Sequence, residues 1–61
     1  MWLRYGESLL ALGRLEESEQ AYQRVVKMAP SHLEARRTLS GILHKLGRAE
    51  EALHTLTQGK N

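Results

Sequence analysis

Apolar positions step along this chain by threes and fours. Trp2, Tyr5, Leu9 and Leu12 fall on one face of a helix. Gly13 follows as a stop, where left-handed backbone costs glycine little. A second apolar seam, Leu15, Ser18, Tyr22, Val25 and Ala29, predicts a helix from Leu15 to Pro30, with Ala21, Val26 and Met28 beside the seam. Glu16, Glu17 and Glu19 open this helix and Arg24 and Lys27 lie toward its end, an order that suits the helix dipole. Pro30 ends it, because the residue before proline is pushed out of α space. Ser31-His32-Leu33-Glu34 reads as a capping box for a third helix. Its seam is Ala35, Leu39, Ile42, Leu43 and Leu46, and Gly47 stops it. Ala49, Ala52, Leu53 and Leu56 mark a fourth helix, which Gly59 is expected to fray.

The pattern occurs twice. Leu12-Gly13-Arg14-Leu15-Glu16-Glu17-Ser18 returns as Leu46-Gly47-Arg48-Ala49-Glu50-Glu51-Ala52, an offset of 47 − 13 = 34 residues. Tyr5 then pairs with Leu39, Leu9 with Leu43 and Tyr22 with Leu56. Linkers of two or three residues force neighbouring helices antiparallel. The expected fold is all-α: two stacked antiparallel helix hairpins, one over residues 1–30 and one over 31–61. A unit of this length repeated in tandem is the signature of a helical solenoid, which offers a surface to partners.

Trp2, Gly6, Leu9, Gly13, Ala21-Tyr22 and Pro30 in the first copy, with Leu39, Leu43, Gly47, Ala52 and Leu56 in the second, make the chain resemble the tetratricopeptide repeat (TPR) family. The resemblance implies that Gly6 and Ser40, with Ser18 and Ala52, are small slots where paired helices approach closely. It also implies that the first helix of each hairpin lines a concave groove for a partner peptide or helix. The groove residues expected on that basis are Leu3, Arg4, Glu7 and Leu10, then Arg37, Thr38, Gly41, His44 and Lys45. Arg37 and Lys45 would attract an acidic segment; Leu3 and Leu10 would accept an apolar anchor or be covered by an adjacent repeat. The Lys/Asn carboxylate clamp of some relatives is missing: Leu3, Glu7, Thr38 and Gly41 stand in its places, which disfavours a co-chaperone role. Three further departures are Tyr5 in a leucine position, Arg36 in the tryptophan slot and Gly59 in a helical alanine position. Two copies are fewer than the roughly three a free-standing solenoid needs, so neighbouring repeats or self-association are expected. Residues Ala29–Ser40 with Trp2-Leu3-Arg4-Tyr5 are further similar to TPR arms of factors that initiate transcription by RNA polymerase III, which implies a nuclear scaffold role.

Composition adds limits. Sixty-one residues without cysteine hold a core worth about 3–5 kcal/mol, with no disulfide to help it. The net charge is only +2, and all seven acids are glutamate, so the chain lacks a strong nucleic-acid footprint. Arg36, Arg37, Lys45 and Arg48 share one region, but Trp2, Tyr5 and Tyr22 fall on packing positions and leave no stacking platform for bases. Direct contact with nucleic acid is therefore not expected. No apolar run approaches a membrane span, and an intracellular location is expected. No nucleophile elbow, phosphate loop or HExxH motif is present. Glu50 and His54 lie one helical turn apart but lack the further ligands of a metal site. Neither an enzyme nor a cofactor is expected.

Overall fold

A computed structural model describes residues 2–57. It contains four helices: α1 (Trp2–Ala11), α2 (Leu15–Met28), α3 (Leu33–Lys45) and α4 (Ala49–Thr57). Consecutive helices pack on one another, α1 on α2, α2 on α3 and α3 on α4. This is the expected order of two stacked hairpins. Gly59 lies outside the described residues.

The two hairpin turns are built alike. Gly13 and Gly47 have φ of 81° and 79°, the left-handed region where a side chain would be strained. In the first, the amides of Gly13 and Arg14 donate to the carbonyls of Leu10 and Leu9 at 3.0 and 2.9 Å. In the second, Gly47 and Arg48 donate to His44 and Leu43 at 3.1 and 2.9 Å. This is the Schellman pattern, which satisfies carbonyls that the helix end leaves free. Leu12, expected on the α1 seam, lies in the first turn and is 71% exposed. Ala29, expected within α2, is its C-cap instead, its amide donating to Val25 at 2.8 Å.

The start of α3 departs from the capping box. His32 donates its amide to Ala29 at 2.9 Å, and that turn takes up Ser31. Helical backbone begins one residue later than the sequence pattern implied. His32 is the N-cap, and its Nδ1 accepts from the Ala35 amide at 3.1 Å. The imidazole performs the task usually given to a serine or aspartate oxygen. To do so it must be neutral, with its proton on Nε2.

The buried core is shared by α2, α3 and α4. Tyr22, Val25, Ala35, Leu39, Ile42, Leu43 and Ala52 form one buried cluster, with Leu3, Leu10, Leu15, Val26 and Leu46 half-buried against it. The small slots behave as the repeat implied. A Cβ on Gly6 would lie 2.8 Å from Cε2 of Tyr22, so the ring occupies the space that glycine leaves. The Ser18 hydroxyl donates to the Gly6 carbonyl at 2.8 Å, and the Ser40 hydroxyl donates to the Ala52 carbonyl at 3.2 Å. Positions 6 and 40 correspond, as do 18 and 52. The two hairpins thus carry the same bridge with donor and acceptor helices exchanged.

Candidate functional site

Two polar side chains hold the hairpins together without belonging to the apolar cluster. Glu19, on α2, is 6% exposed, and a carboxylate so placed is tolerated only when paired. It accepts from Arg48 at 2.7 Å and from Gln23 at 2.6 Å. Arg48 follows the second turn and also donates twice to Glu51. These bonds raise the pKa of Arg48 and hold the Glu51 carboxyl below its usual range. Arg36 fills the tryptophan slot differently. Its guanidinium donates to the carbonyls of Pro30 and Leu56, at 3.1 and 3.0 Å. It thereby ties the α2–α3 loop to the last turn of α4, where a cation suits the dipole. Sequence pattern could not reveal either link, because the partners lie 29 and 20 residues away.

Two of the four basic residues grouped by sequence, Arg36 and Arg48, are therefore engaged inside the fold. The aromatic residues need a correction. Tyr22 is buried, but Trp2 and Tyr5 are 38% and 51% exposed. They sit at the free edge of the first hairpin, where no other described helix covers them. Their rings meet edge to face with centroids 5.8 Å apart, and the Arg24 guanidinium lies 4.7 Å over the Trp2 ring.

The expected groove residues lie on α1 and α3. Arg4, Glu7, Arg37, Gly41, His44 and Lys45 are exposed, and Thr38 is half-buried. Leu3 and Leu10 are half-buried against the core cluster, so part of their apolar surface is already used. None of these nine residues lines the larger hollows of the molecule. A cavity of about 810 Å³ lies on the opposite side, between α2 and α4, with Leu39 and Leu43 of α3 among its lining. Arg36, Glu51, His54 and Thr55 line it too. A second hollow of about 620 Å³ is lined by Trp2, Tyr5, Glu17, Gln20, Ala21 and Arg24. Shifting Trp2, Tyr5, Glu17, Gln20 and Ala21 by 34 residues gives Arg36, Leu39, Glu51, His54 and Thr55. The two hollows are therefore the same feature of successive repeats, and α2 supplies the extra wall of the larger one.

Glu50 and His54 both line the larger cavity, with no hydrogen bond between them. Among the described residues no group of three or more His, Cys, Asp or Glu is placed to hold a metal ion. No described helix is long and apolar enough to cross a membrane.

Stacked helical hairpins, glycine-stopped turns and matched small slots all recur at one spacing. A profile of the tetratricopeptide repeat matches residues 2–58. The chain belongs to the tetratricopeptide repeat family. Over 56 residues, 92% of the chain, it is 46% identical to the human protein General transcription factor 3C polypeptide 3. The chain spans only 6% of that relative's length. No solved structure matches it. Family and relative both point to a TPR scaffold rather than to a catalyst.

Proposed function

We propose that this TPR module binds a peptide or helix of a partner protein on the face formed by α1 and α3, and that it serves in assembling an RNA polymerase III initiation complex in the nucleus. The observation that carries the assignment is the identity with a human general transcription factor polypeptide across almost the whole chain. Residues 1–30 and 31–61 are read as its two repeats. The partner face is assigned to Leu3, Arg4, Glu7, Leu10, Arg37, Thr38, Gly41, His44 and Lys45. Most of these side chains are free of the core, while Arg36 and Arg48 are occupied within it. A rigid two-layer support lowers the ordering cost of capture, since the receiving side chains are already placed. Neighbouring repeats would cover Tyr5 and Leu12 at one end and Leu53 and Leu56 at the other.

The test is retention of proteins from nuclear extract on the immobilised chain. Arg37→Glu with Lys45→Glu is expected to lose transcription-factor subunits that the parent chain retains. Lys27→Glu, on the α2–α4 side, should keep them. Circular dichroism should show equal helicity in all three. Undiminished retention by the double variant would remove the basic half of the α1–α3 face from the site.

A further inference from the structure

We propose that the cavity between α2 and α4 is a second protein-binding site, separate from the α1–α3 face. It takes a partner segment in which an aspartate or glutamate adjoins an apolar side chain, and Arg36 anchors the carboxylate.

The volume of about 810 Å³ falls within the range of about 300–1,000 Å³ that ligand sites occupy. Leu39 and Leu43 of α3 lie at its base, and Val26 and Pro30 add apolar wall. Arg36 also lines the cavity. Its Nη1 donates to the Pro30 carbonyl at 3.1 Å and its Nη2 to the Leu56 carbonyl at 3.0 Å, both at the surface. Its Nε is enclosed and has no partner. The guanidinium is thus fixed in place at one end of the cavity, with its Nη edge toward the outside.

The charge of Arg36 is unanswered. Only neutral carbonyls meet it, and among the described residues the arginines in ion pairs are Arg14 and Arg48. Each Nη bears two hydrogens and uses one, so both keep a donor for a planar carboxylate, the group this fork fits. Lys27 lines the same cavity, one helical turn before Pro30, and has no ion pair among the described residues. Two acids line it as well. Glu51 is held by Arg48. Glu50 lies six residues before Leu56, about 9 Å away along a helix axis. The unpaired charge at the Arg36 end is therefore positive, and apolar surface adjoins it.

The equivalent hollow of the first hairpin is furnished differently. Trp2 stands in the place of Arg36, and the cation there, Arg24, lies 4.7 Å over the Trp2 ring. That cation is matched from within the chain. In the larger hollow the match has to come from a partner.

The test uses nitrogen-15-labelled chain titrated with N-acetyl-leucyl-glutamyl amide. Saturable NMR shifts are expected at the amides of Val26, Arg36, Leu39 and Thr55. The leucyl-glutaminyl amide lacks the charge and the glycyl-glutamyl amide lacks the apolar side chain; each should bind about tenfold more weakly. Arg36→Lys keeps the charge and loses the fork, and should also weaken binding about tenfold. Lys27→Glu, on the exposed surface, gives a second readout in a chain of unchanged helicity: binding about threefold weaker, with the difference shrinking as salt is raised. Arg37→Glu with Lys45→Glu, on the other face, should leave peptide binding as it is. Equal binding of the leucyl-glutaminyl amide, the same shifts with inorganic phosphate alone, or no saturable shifts at all would overturn the cavity as a site for an acidic segment. If the peptide gives no such shifts while the Arg37/Lys45 reversal still abolishes retention from extract, the cavity fails and the groove stands. If the peptide binds as described and that reversal changes no retention, the cavity stands and the basic half of the groove fails.

Discussion

The two hairpins hold equivalent residues in unequal surroundings. Leu39 is 3% exposed, and its counterpart Tyr5 is 51% exposed. Leu46 packs on the core, whereas Leu12 is open. On the second helices Tyr22 is buried and Leu56 is not; Glu19 is buried and Leu53 is not. Each buried member faces the other hairpin, and each open member faces outward from the pair. Burial in this architecture is decided by which neighbour a position meets, more than by the residue that occupies it. That is the nearest-neighbour logic of a solenoid, visible here in a single interface.

The sharpest way to break the equivalence is at positions 6 and 40. Gly6 must stay small because Tyr22 fills its space, whereas Ser40 already carries a Cβ. Gly6→Leu is expected to cost about 1–3 kcal/mol through overpacking, a large share of the stability of so small a chain. Ser40→Ala should cost about 1 kcal/mol, the value of one hydrogen bond. Thermal unfolding followed by circular dichroism checks both. Equal melting temperatures for the two variants would mean that Tyr22 does not hold position 6 as described.

These slots also show what sequence pattern could and could not convey. The resemblance to the repeat family placed residues 6, 18, 40 and 52 at the helix contacts, where close approach demands small side chains. It could not show that a hydroxyl bridges each contact, or that the donor changes helix between copies. The four helices were legible because seam positions recur at helical spacing, and both stops because glycine alone accepts the backbone there. Trp2 and Tyr5 were misread as packing residues: periodicity marks an apolar face without naming what covers it. On the candidate site, the exposure of Arg37, His44 and Lys45 was legible from their polar face.

Helix starts offer a second comparison. Arg14 precedes α2 without a side-chain cap bond, while His32 caps α3 through Nδ1. His32→Ala should therefore destabilise the chain by about 1 kcal/mol. His32→Asp should preserve the cap, and Ser31→Ala should be close to neutral. Melting temperatures of the three variants measure this. If Ser31→Ala proved the costly change, the capping-box reading would replace the histidine cap.

The smallest expected effect concerns the arginine that follows each hairpin turn. Arg14 meets Glu17 at 3.4 Å with both side chains largely exposed, and pairs of this kind contribute little. Arg48 binds the equivalent Glu51 with two nitrogens and Glu19 with a third contact. The hydrogen bonds from Arg48 hold the Glu51 carboxyl below its usual range. A folded-state pKa below the unfolded value adds stability that is complete above the unfolded value, about 4.3 for glutamate. That stability is lost as pH falls through the lower, folded value. Glu51→Gln should thus lower the melting temperature at neutral pH, and its difference from the parent should shrink through the acid range. Glu17→Gln should show little difference at any pH, since its arginine makes a single exposed contact. Parallel pH profiles for the two variants would show that the second arginine acts like the first. Glu19 would then be the one partner that distinguishes Arg48 from Arg14.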